Sequence, residues 1–140
     1  MIAYIEGTII YLGNQSVIVL VNGLGYEVYI SAGELSKIKI GEQIKLYCYN
    51  NIREDASDLY GFAKVGDLEL FKLLIGVSGI GPKTASKLIH QFGTVDNIYK
   101  NLRQVESEKV KEILEKEKDK VYVSKKLATI LTDVDIDLDI

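Results

Sequence analysis

Ten residues in the middle of the chain, Gly76-Val77-Ser78-Gly79-Ile80-Gly81-Pro82-Lys83-Thr84-Ala85, leave the backbone few options. Glycines at 79 and 81 flank one apolar residue, so the main chain can bend sharply and bring its amides close to whatever lies outside. Pro82, the only proline in the sequence, has a fixed φ and no N–H, and both properties suit the first position of a helix. The spacing therefore predicts a helix starting at Pro82, with open amides beside Lys83. Such a terminus favours anions, phosphate above all. A contact to backbone phosphate positions a nucleic acid without reading its sequence. Helices also begin after Gly-x-Gly-Pro with no ligand at all, so the string by itself leaves a purely structural reading open.

With 140 residues, 47% of them apolar, the chain can build one ordinary domain or two small ones around a real core. No apolar run approaches the roughly 18 residues of a membrane span, and the first residues lack the order of a signal peptide. The expectation is a soluble, cytoplasmic protein with no membrane partner. Cys48, the single cysteine, sits in an apolar-aromatic run and reads as packing. The net charge of −3 is unevenly spread: residues 66–131 hold twelve Lys/Arg against nine Asp/Glu, whereas residues 132–140 hold four Asp and no base. The mildly basic middle permits phosphate binding, although mixed-sign helices are commonly just solvated faces.

The first sixty residues read as β-structure. An apolar run ends at Leu12 before the turn dipeptide Gly13-Asn14, Ser16 to Val21 is β-branched, and Asn22-Gly23 is a two-residue hairpin signal. Tyr26 to Ile30, Gln43 to Tyr49 and Ser57 to Phe62 supply three further strands, with a short helical turn at Ser31 to Ser36. Five short strands suggest a small barrel or sandwich, and the five-stranded barrel of this class is the OB fold. Tyrosines at 4, 11, 26, 29, 47, 49 and 60 fall on these strands. They could stack on bases, but packing is the simpler reading. Glu54 and Asp55 mark the loop between the last two strands, where carboxylates would repel phosphate; a solvated loop is the plain alternative.

These pieces together resemble RuvA, the Holliday-junction-binding subunit of the bacterial branch-migration complex, over residues 1 to about 88. The matching residues are Met1-Ile2, Gly7, Val21-Asn22-Gly23-Leu24-Gly25-Tyr26-Glu27-Val28, Arg53-Glu54-Asp55-Ala56, Leu59-Tyr60-Gly61-Phe62, and Leu70 to Ile75 running into Val77 to Ala85. The central string itself resembles the helix-hairpin-helix motif of DNA-binding proteins. The resemblance implies an OB-fold domain, a homotetramer around a cluster of acidic pins at Glu54 and Asp55, and a hairpin that grips junction-arm phosphates. It also implies a hexameric RuvB-like ATPase motor and a junction resolvase as partners.

Beyond the hairpin the pattern changes. Helices are expected over Asp67 to Ile75, from Lys83 to a stop at Gly93, from a Thr94 cap through Leu102, from a Ser107 cap to Lys118, and over Val121 to Leu131. RuvA would place a second Gly-x-Gly hairpin here, yet residues 104–120 contain no glycine. No counterpart of that family's motor-binding three-helix domain is expected within these residues either, which weighs against coupling to the motor. From Gly76 to about Leu138 the chain is instead similar to the helical DNA-binding subdomain of the 5′ nucleases of bacterial DNA polymerase I. The shared residues are Gly79 to Ala85, Lys87-Leu88, Phe92-Gly93, Asn97-Ile98, Ser124 to Ile130 and Thr132-Asp133-Val134. That likeness implies hairpin carbonyls able to hold K⁺ near Ser78 to Gly81; no other cofactor and no catalytic residue is expected. Asp133, Asp135, Asp137 and Asp139 alternate with aliphatics, which fits a tail or edge strand better than a metal cluster. His90 has no metal-binding companions nearby.

The expected fold is therefore α+β: an OB-fold barrel over 1–63, a helix-hairpin-helix domain over 64–131 and an acidic tail over 132–140. The expected function is non-catalytic binding of a four-way junction or other branched duplex. Ser78, Gly79, Ile80, Gly81, Lys83, Thr84 and Lys87 would hold DNA, and Glu54 and Asp55 would form the pin. Two alternatives stand beside it, a flap-binding accessory derived from a 5′ nuclease and a protein assembly scaffold.

Overall fold

The computed structural model describes residues 1–135, with side chains through Lys126. The chain divides into two compact units, Met1–Leu68 and Glu69 onward.

The first unit contains β1 (Tyr4–Leu12), β2 (Ser16–Val21), β3 (Leu24–Tyr29), a one-turn α1 (Ala32–Leu35), β4 (Gln43–Ile52) and β5 (Ser57–Phe62). The strands close into a barrel in the order β1-β2-β3-β5-β4, with β4 returning to β1. Neighbours are antiparallel except β3 and β5, which run parallel where Tyr29 meets Tyr60. Closure removes the unpaired edges of an open sheet. Asn22 and Gly23 both take positive φ, 49° and 85°, as a tight turn matched to strand twist requires.

Period-two alternation sends Ile5, Val17, Val19, Val28, Leu46 and Cys48 into one core. Burial pushes the Cys48 thiol up to about 11, consistent with a packing role. At Gly61 a Cβ would lie 2.6 Å from Val28 Cγ1 and 3.1 Å from Leu46 Cδ1, so β5 passes where no side chain fits. The reading of the barrel tyrosines as packing holds for the buried Tyr60 and the half-buried Tyr26, Tyr29 and Tyr49, and needs correction for three others. Tyr4, Tyr11 and Tyr47 are exposed, and the Tyr4 and Tyr47 rings stack on the outer surface at 5.4 Å. For Tyr11 the cause is a shift of register between Ile9 and Tyr11, which leaves both Ile10 and Tyr11 facing out.

Helix α2 (Val65–Ile75) begins at the end of the first unit and leads into the second. There follow α3 (Pro82–Phe92), α4 (Val95–Lys100), a single 3₁₀ turn at Leu102–Gln104, α5 (Glu108–Lys116) and α6 (Lys118–Asp135). Local chemistry sets each boundary. Gly93, at φ 79°, ends α3 and donates its N–H to Ile89 O at 2.9 Å. Thr94 Oγ1 accepts the Asn97 amide at 3.1 Å, and Ser107 Oγ accepts the Val110 amide at 3.3 Å.

The last helix is longer than the sequence pattern predicts. It runs through Asp135, so Asp133 and Asp135 are helical rather than part of a tail or edge strand. No glycine or proline follows Lys118 to stop it. Asp137 and Asp139 lie outside the described residues.

A polar cluster ties α6 to α4 and α5. Tyr99 Oη donates to Leu114 O at 2.9 Å, and the Tyr99 and Tyr122 rings lie 5.4 Å apart. Tyr122 Oη donates to one Asp96 carboxylate oxygen and Lys125 Nζ to the other, both at 3.2 Å. Burial pushes the Tyr99 phenol up to about 12, and the hydrogen bond from Lys125 holds the Asp96 carboxyl below its ordinary value.

Candidate nucleic-acid interface

The hairpin between α2 and α3 is held from below by apolar anchors. Phe71, Leu74, Val77 and Ile80 are buried, while Ser78, Gly79 and Gly81 are exposed. The Ile80 amide donates to Val77 O at 3.1 Å, which closes the bend and removes that N–H from the outer face. Of the expected DNA-contacting residues, Ile80 therefore offers its main chain only through its carbonyl, and its side chain serves the core.

The remaining amides stay open. Gly81 is the N-cap of α3, at φ −91° and ψ 175°, and it has no side chain to accept from the first turn. Pro82 brings no N–H, and the first satisfied amide is that of Ala85, which donates to Gly81 O at 3.0 Å. The N–H groups of Ser78, Gly79, Gly81, Lys83 and Thr84 thus have no main-chain partner among the described residues. This is the unsatisfied set that a helix start presents to an anion. Lys83 and Lys87, one turn apart on α3, are exposed and have no carboxylate partner among the described residues. The structure so brings Ser78, Gly79, Gly81, Lys83 and Thr84 to one helix start, with Lys87 one turn further along.

Glu54 and Asp55 belong to the first unit and stand apart in the chain from this hairpin. They form the two-residue tip of the β4–β5 hairpin, closed beneath by Arg53 N–H to Ala56 O at 2.7 Å. Both carboxylates are exposed. The one nearby cation, Arg53, is engaged instead with Asp58 at 3.0 Å, which leaves the tip itself acidic.

Sequence reasoning missed one participant. Gly79, at φ 94°, is flanked on one side by Ile113 of α5, whose Cδ1 lies 2.7 Å from where a Cβ on residue 79 would be. Ile113 belongs to the apolar stripe legible along α5, but nothing in that periodicity says which surface the stripe covers. Among the described residues no group of three or more His, Cys, Asp or Glu could hold a metal ion, and no helix is long and apolar enough to cross a membrane.

Two families match the chain in succession. Residues 1–61 match the RuvA N terminal domain, and residues 71–140 match the family described as 5'-3' exonuclease, C-terminal SAM fold. Individual relatives carry the name Holliday junction branch migration complex subunit RuvA. That of Chloroherpeton thalassium is 45% identical over 95 residues, covering 67% of this chain and 48% of the relative. That of Bacteroides fragilis is 49% identical over 89 residues, covering 64% and 44%. That of Fusobacterium nucleatum is 37% identical over 112 residues, covering 75% and 58%. The chain thus spans about half the length of the curated relatives it matches.

Proposed function

Since the chain belongs to the 5'-3' exonuclease C-terminal SAM-fold family through residues 71–140, behind a RuvA-type barrel, we propose that it is a DNA-binding subunit recognising Holliday junctions or related branched DNA. The observation that carries this reading is the side-chain-free cap at Gly81. It leaves the amides of Gly79, Gly81, Lys83 and Thr84 open beside the Lys83 ammonium. A phosphate would accept from these amides, and the two lysines would neutralise its neighbours. Recognition is then by shape and phosphate position, because contacts to backbone phosphate carry no sequence information.

Several copies, four by analogy with the family that the barrel matches, would set their Glu54–Asp55 tips around the crossover. There the carboxylates repel phosphate and hold strands apart. The carbonyls of Ser78 and Ile80 accept no main-chain hydrogen bond among the described residues, and they are the atoms that would hold a bridging K⁺. Any ATP hydrolysis would belong to a partner motor, and a resolvase would act on the same junction; the cytoplasm is where these partners would be met.

The test is a comparison of affinities for a four-way junction, a flap and a linear duplex at one moderate salt concentration. The junction should bind tightest. Equal affinity for all three would overturn junction recognition, and a preference for the flap would favour the nuclease-derived reading that the match over residues 71–140 invites.

A further inference from the structure

We propose that α5 carries a second phosphate-binding surface beside the hairpin, formed by Lys109 and Lys116, which extends the contact to the same DNA strand. The proposal rests on the hairpin reading above and adds to it a grip from a helix that has no glycine hairpin of its own.

The geometry starts from Ile113. Its Cδ1 packs against Gly79, so the face of α5 centred on Ile113 borders the open amides. At 3.6 residues per turn, Lys109 and Lys116 lie about 40° and 60° to one side of Ile113. Leu114, fully buried, lies about 100° to the other side. The core therefore takes one flank of Ile113, and the lysines take the opposite, exposed flank. Both lysines are exposed, and neither has a carboxylate partner among the described residues.

Two of the nearby charges on the helix are already paired with other residues. Lys111 points elsewhere and is paired with Glu108 at 3.1 Å. Glu117, on the core flank, is held by Lys120 at 3.4 Å. Glu112, three residues from Lys109 and four from Lys116, shares their flank and forms no ion pair with either among the described residues. Seven residues separate Lys109 from Lys116, about 10 Å along the axis. Along a duplex axis running parallel to α5 that spans about three base pairs at roughly 3.4 Å of rise each, within reach of two flexible side chains. A strand seated on the hairpin amides would thus continue across both ammonium groups.

Salt-dependent binding of a linear duplex to K109Q/K116Q tests this, measured with K83Q and with the charge-matched control K100Q/K126Q in the same unit. The expected result is weaker binding by K109Q/K116Q, with the slope of log affinity against log salt falling by about two. If K83Q weakens binding while K109Q/K116Q leaves affinity and slope unchanged, the α5 surface is overturned and the hairpin reading stands. If neither variant has any effect, the hairpin reading fails and takes this proposal with it. An equal loss in K100Q/K126Q would reduce the effect to net charge and also overturn it.

Discussion

Gly79 and Ile113 occupy one another's space: a Cβ on residue 79 would sit 2.7 Å from Ile113 Cδ1, and residue 79 holds φ at 94°. Two separable penalties follow for Gly79→Ala. The positive φ costs about 1–2 kcal/mol for any side chain, and the steric clash about 1–3 kcal/mol more. Ile113→Val removes Cδ1 alone and should relieve the second penalty but not the first; the next atom, Cγ1, is at 3.7 Å. Urea unfolding of the two single variants and the double should show coupling of about 1 kcal/mol or more. Strict additivity would mean that α5 does not bear on the hairpin.

Lys83→Glu should separate binding from folding. The side chain is exposed and has no ion pair among the described residues, so stability should change by less than about 0.5 kcal/mol. Affinity for any duplex or junction should nevertheless fall, and the salt dependence should flatten by about one ion. Fluorescence anisotropy across a salt series beside thermal unfolding reads both quantities. Unchanged binding would favour the scaffold reading.

Neutralising the β4–β5 tip should act in the opposite direction. The pair Glu54→Gln and Asp55→Asn keeps the two-residue turn and removes two exposed charges. Linear duplex should then bind more tightly as repulsion is lost. The ratio of junction to duplex affinity should narrow, and a ratio left intact would remove these carboxylates from recognition.

Alkaline stability should be set in large part by the buried Cys48 thiol and the half-buried Tyr99 phenol. The folded pKa of Cys48 is raised from 9.0 to about 11, and that of Tyr99 from 10.0 to about 12. Each contribution is fully present below the unfolded value and is lost as pH rises toward the folded one. Unfolding free energy should therefore decline between about pH 9 and 12. Tyr99→Phe should cost about 1 kcal/mol at neutral pH through the lost bond to Leu114 O, and it should flatten the upper part of that decline. An unaltered decline would show that Tyr99 is not its source.

At the acid end the sign reverses for Asp96, whose folded pKa lies below 3.8. Its pairing with Lys125 and Tyr122 should persist through neutral pH and fade only as pH falls from near 3.8 toward that lower value. Near-ultraviolet circular dichroism of the Tyr99–Tyr122 pair follows this directly. Asp96→Asn should abolish the acid transition, and its survival in that variant would assign it to other carboxylates.

Where information is local, the chain spells it out. Asn22-Gly23, the caps at Thr94 and Ser107, the stop at Gly93 and the start at Pro82 each act over four residues or fewer, and all appear where the residues place them. The hairpin's chemistry is local in the same sense. What could not be read are relations between distant segments. The outward Tyr4–Tyr47 stack depends on β1 meeting β4, and the approach of Ile113 to Gly79 depends on where α5 returns. The extent of α6 was hidden for another reason: alternating aspartates mimic a strand, and the absence of any breaker decides for the helix.

Position 81 sets robustness against purpose. A Cβ there would meet nothing within 4 Å, and the backbone at φ −91° admits any residue. Serine or aspartate would cap α3 with a side-chain oxygen and add a few tenths of a kcal/mol of stability. The same oxygen would occupy the first-turn amides that a phosphate needs, and aspartate would add repulsion. An engineer hardening this protein by routine helix capping would obtain a slightly sturdier molecule whose first-turn amides are no longer open to a phosphate.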